Sequence, residues 1–70
     1  MTMNDGMFPD SPVPIAAQVT CVEREIGLRE KVYPRWVAAG RLSQTKADQE
    51  LELMRAVLAT LRAIETVERP

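Results

Sequence analysis

A single thiol, Cys21, and the absence of any histidine set narrow terms for chemistry in this chain. A nucleophilic cysteine needs a base or a positive neighbour to draw off its proton, and the side chain that titrates near neutral pH is missing. One cysteine without histidine is a poor start for a zinc site and cannot form an internal disulfide. The carboxylates fall in the runs "ERE" (Glu23, Glu25) and "QELE" (Glu50, Glu52), spaced as the solvent face of a helix. Glu25 and Arg29 stand four apart in the order that favours a helical ion pair, worth a few tenths of a kcal/mol. No glycine-rich phosphate loop or metal motif is present. These residues predict no enzyme, no cofactor, no metal and no small-molecule substrate.

The other residues with something to offer lie together in "YPRW". Tyr33 and Trp36 are two of only three aromatic residues in the chain, and Pro34 and Arg35 separate them. Tyr, Trp and Arg are the types enriched at binding hot spots, where a large area is combined with a polar handle. Arg29 interrupts an otherwise apolar row and needs a carboxylate, solvent or a partner. Arg29, Tyr33, Arg35 and Trp36 are the partner-binding candidates. By spacing, Tyr33 and Trp36 share a seam with Val19, Val22 and Ile26. The expectation is that both rings brace a bend from inside, on Leu42, Ala47 and Leu51, while Arg35 faces outward. On that reading Trp36→Ala costs about 3–5 kcal/mol and Arg35→Ala under about 0.5 kcal/mol.

The elements that must carry these residues read as two helices. Residues 1–13, with Pro9 and Pro12, lack periodicity and are expected to form a flexible arm, with Met7 and Phe8 as candidates to pack back onto an apolar groove. The hairpin domain is expected over 14–69. Helix 1, about 14–39, starts near Pro14, whose missing N–H suits a first turn. Its seam is Ile15, Val19, Val22, Ile26, Tyr33 and Trp36. Pro34 removes a hydrogen bond to the Glu30 carbonyl, so a kink followed by one more turn is expected. Gly40 then ends the helix. Gly27, on the outer side, costs roughly 1 kcal/mol relative to Ala and is a candidate for close approach by another chain. Helix 2, about 44–67, is capped by Ser43, and its seam is Ala47, Leu51, Met54, Leu58 and Leu61. A second stripe, Leu53, Val57, Ile64 and Val67, lies beside it.

The fold class is therefore all-α: an antiparallel two-helix hairpin with a three-residue connection. Seventy residues bury little surface, and the second stripe is more apolar surface than one partner helix covers. The expectation is a homodimer in a four-helix arrangement, with Leu53, Val57, Ile64 and Val67 at its interface.

A net charge of −1 offers no global attraction to nucleic acid or to an anionic membrane. No apolar run approaches the ~20 residues of a membrane span, and "MTMNDGMFPD" has neither region of a secretory signal, so a cytoplasmic setting is expected. From Glu23 to Lys46 there are six basic and three acidic residues. Helix 2 nonetheless lacks the basic, polar leading face that enters a major groove.

The stretch from Cys21 to Leu61, with its charged first helix, "VYPRWVAAGR" bend, "KAD" and "M-RAVLATL" second helix, resembles a group of short proteins from the early regions of Mu-like bacteriophages and prophages. One branch of that group is similar to the quorum-sensing anti-activator of Pseudomonas phages, a small dimeric helical protein. That resemblance implies binding to a host protein in the host cytoplasm: a LuxR-type transcription regulator, and also the ATPase of type IV pilus assembly. It places Tyr33, Pro34, Arg35, Trp36 and Gly40 in the bend as architecture. The alternative is a small DNA-binding or DNA-replication accessory protein of the phage early region.

Overall fold

The computed structural model describes residues 13–68, and the expected arm over 1–13 lies, but for Val13, outside them. Two helices make up the described chain: α1, Ile15–Ala38, and α2, Gln44–Glu68. Both run within a residue of the expected bounds. Pro14 occupies the cap position rather than the first turn, and its carbonyl accepts the amides of Ala17 and Gln18 at 3.1 and 3.2 Å. α1 continues through Pro34 to Ala38. The proline removes one donor without ending the helix, because the turns on either side keep their own bonds.

The connection is wired by its backbone. Gly40 has φ +75°, the left-handed conformation that a residue with a Cβ rarely adopts. Its amide donates to the Val37 carbonyl at 3.0 Å, and the amide of Arg41 reaches back to the Trp36 carbonyl at 2.8 Å. This crossed pair is the Schellman motif, which occupies carbonyls that a helix C-terminus otherwise leaves without partners. On the far side, Ser43 Oγ accepts the amide of Lys46 at 3.0 Å, the N-cap bond expected from sequence.

Two ion pairs mark the register of the arms. Arg55 donates to Glu30 at 2.7 Å, and Arg62 to Glu23. Seven residues back along α1 match seven residues forward along α2, as antiparallel arms require. Between them lies a thin core. Among the described residues only Val19 (7% exposed), Ile26 (8%) and Ala47 (2%) are buried. Ile15, Val22, Leu51, Met54, Leu58 and Leu61 line the same contact and stay half-exposed. Each helix offers the other one stripe and no further described element closes over the top, so half-burial is the limit of a two-helix layer.

A candidate interaction surface on one face of the hairpin

The hairpin has two unlike faces. At about 100° per residue, Glu23 and Glu30 fall on one flank of α1, and they meet Arg55 and Arg62 on the matching flank of α2. The opposite flank of α1 carries Cys21, Leu28 and Val32, seven and four residues apart. It shares a groove with α2 in which Ala17, Cys21 and Val22 face Val57 and Leu61. Leu53 and Ile64 extend the line of Val57 by one and two turns along α2. The four residues of the second stripe are all exposed, from 38% at Ile64 to 83% at Val67. Cys21 is a free, exposed thiol on this apolar face.

Toward the bend a second groove of about 300 Å³ runs along α1 alone, lined by Glu25, Leu28, Arg29, Val32, Tyr33 and Trp36. Three of the four partner-binding candidates therefore share one site. Leu28 and Val32, which the periodicity did not single out, supply its floor. Arg35 is exposed on the outer edge of the helix, beyond Leu28. Arg29 donates from one Nη1 to both the carboxylate (2.7 Å) and the carbonyl (3.1 Å) of Glu25. The bond to Glu25 raises its pKa above the ordinary arginine value, burial opposes the rise, and Tyr33 adds to it. The seam arginine thus finds its carboxylate within its own helix.

The placement of Trp36 corrects the sequence reading. The tryptophan is not packed inside the bend; it is 42% exposed, while Tyr33 is half-buried. The cause is helical drift. A seam counted in sevens slips by about 20° per repeat at 3.6 residues per turn, so by residue 36 it has rotated to the flank. The rings of Tyr33 and Trp36 lie 5.9 Å apart with a 36° tilt. The Arg41 guanidinium sits 6.0 Å from the Trp36 ring centre, within reach of a cation–π contact. Arg41 was not among the candidates; its signal was its place directly after Gly40, where the Schellman turn folds it back over the helix.

Four cations, Arg24, Lys31, Arg35 and Arg41, form no ion pair with a described residue. Arg24, Lys31 and Arg35 line the outer edge of α1. Among the described residues no group of three or more metal-binding side chains is gathered, and no helix is long and apolar enough to cross a membrane. No protein-family model matches the sequence, and no match was found among curated proteins or solved structures.

Proposed function

We propose that this chain is a non-catalytic, phage-encoded interaction protein that dimerises through α2 and binds and inhibits a host bacterial protein. The observation that carries this reading is the exposed apolar face, in which an aromatic groove with flanking arginines adjoins a stripe of four bare apolar side chains. A contiguous surface of this kind marks an interaction site, and Tyr, Trp and Arg are the usual anchors of one. Leu53, Val57, Ile64 and Val67 meet their counterparts in a four-helix dimer, leaving the α1 groove free on each outer flank. α1 bends at Pro34, where the Glu30 carbonyl lacks its helical donor.

The resemblance of Cys21–Leu61 to Mu-like phage early proteins makes a LuxR-type quorum-sensing regulator the first target and the pilus assembly ATPase the second, both in the host cytoplasm. The mechanism is stoichiometric occupation of the target's surface. The test is capture of a purified LuxR-type regulator on the immobilised chain. Retention at micromolar concentration, reduced by Arg35→Ala without loss of helicity, is expected; no retention of either target removes this assignment. A second reading, a DNA-binding or replication accessory protein, draws on Arg24, Lys31 and Arg35, which pair with no described carboxylate. It requires a gel shift with random duplex that fades steeply as salt rises.

A further inference from the structure

We infer that the α1 groove receives an amphipathic helix of the partner protein whose apolar stripe is flanked by carboxylates. The inference rests on the reading of the chain as an interaction protein and names the chemistry of what it binds. Two independent observations carry it. The floor, Leu28, Val32 and the exposed flank of Trp36, repeats every four residues, so it matches the i, i+3/i+4, i+7 side chains of a helix lying along it. From Glu25 to Trp36 it is about 16 Å long at 1.5 Å per residue, some three turns. It is open along its length and lies on a single helix, a shape that suits a protein segment better than an enclosed small molecule.

The second observation is charge. By helical angle, Arg24, Lys31 and Arg35 follow Leu28 on the outer side of α1, just beyond the residues that line the groove; none of them is paired with a described carboxylate, and Arg41 stands at the bend end beside Trp36. The inner rim is already neutralised, because Arg29 is held by Glu25. An occupant is therefore asked for carboxylates on its outer side and for none on its inner side. A second copy's α2 meets this poorly: beside Leu53 and Val57 it brings one near acid, Glu52, and otherwise Gln49 and Ala56. The better complement is a helix with acids on one flank of a leucine stripe, for which complementary potentials set register and speed encounter.

The test uses the full chain and three synthetic peptides of about 14 residues. The first has leucines at helical spacing flanked by glutamates. In the second the glutamates are lysines, and in the third the leucines are serines. Trp36 is the only tryptophan and lies in the groove, so its emission reports the site. The acidic peptide is expected to shift that emission to the blue and saturate, and to weaken severalfold when salt rises from about 0.05 to about 0.3 M. Arg35→Glu reduces its affinity about tenfold with circular dichroism unchanged. Equal binding of the acidic and basic peptides overturns the inference, as does an equal response to a DNA duplex. So does an emission that moves with the chain's own concentration, which makes a second copy the occupant. So does one that moves on deleting residues 1–12, which makes the arm the occupant. If no peptide binds yet the regulator is captured, the occupant chemistry falls and the proposed function stands. If the peptide binds and neither host target is captured, the groove stands and the target assignment falls.

Discussion

The two faces of the hairpin are built from the same two helices and differ in what each residue meets. On one face glutamates of α1 reach arginines of α2, and each pair satisfies itself across the contact. On the other face valines, leucines and a tryptophan stand with no described residue covering them. The charged face follows the register of the arms and contributes little stability, because exposed ion pairs are worth about 0–1 kcal/mol. The apolar face withholds what stability it has until something covers it, at about 25 cal/mol per Å² removed from water. The difference teaches that one thin layer keeps its interhelical ion pairs on one side and its uncovered apolar area on the other.

The comparison breaks most completely if the layer itself is lost. Ile26 lies between the faces and is one of three buried apolar residues, so Ile26→Ala is expected to cost about 2–3 kcal/mol. In so small a domain that is enough to lower the thermal midpoint by more than about 10 °C, read by circular dichroism. Both faces go together, and peptide binding at Trp36 falls with them.

Next in size is an attack on the apolar face alone. Sedimentation equilibrium of the parent at micromolar concentration is expected to give about twice the 7.9 kDa chain mass, and Val57→Glu to return it to one. Val57 is exposed beside the contact between the arms, so the variant keeps its helicity at high protein concentration. A clean monomer for the parent, with cooperative unfolding, removes the dimer.

The bend comes third. Gly40→Ala places a Cβ at φ +75°, at a cost of about 1–2 kcal/mol, although the side chain itself meets no atom within 4 Å. Trp36→Ala falls in the same range rather than at the 3–5 kcal/mol of a buried aromatic, since nearly half of the ring is already in water. The two midpoints, measured side by side, separate the backbone's share of the turn from the ring's.

The smallest effect sharpens the charged face. Replacing Glu23 and Glu30 together by Gln removes both interhelical pairs, whose side chains are about half exposed, and is expected to cost about 1 kcal/mol at low salt. The difference shrinks as salt screens the parent, and the dimer mass stays unchanged. A loss of association in this variant means that the charged face, not the apolar one, carries the interface.

Much of this was legible in the residues. The apolar periods, Ser43, Gly40 and the short connection all act locally, and they specify two helices and their turn before any tertiary contact is made. The exposed stripe of α2 was legible too, since a second apolar row on a helix with one neighbour has to face water. What failed was counting across distance. A seven-residue count puts Trp36 inside, but that count drifts at 3.6 residues per turn. Leu28 and Val32 lie off the seven-residue seam, on a flank that a single apolar row does not mark. Glu23 and Glu30 read as ordinary solvent-facing charges, since their partners sit 39 and 25 residues away and depend on a register that only the folded hairpin defines.

The wired turn also orders events in time. Its bonds close over six residues, from Trp36 to Arg41, and loops that short close in tens of nanoseconds. Contacts between the arms then join residues of steadily growing separation, from those beside the bend out to Glu23 and Arg62. Such local, low-contact-order wiring folds on the order of microseconds to milliseconds. The aromatic groove lies in the half that closes first, and Val13 and Val67 lie in the half that closes last and opens first. Amide exchange is therefore graded along both helices, slowest around Ile26 and Leu58 and fastest at the open end. A partner approaching the bend meets a surface assembled early in folding and kept through most local openings of the chain.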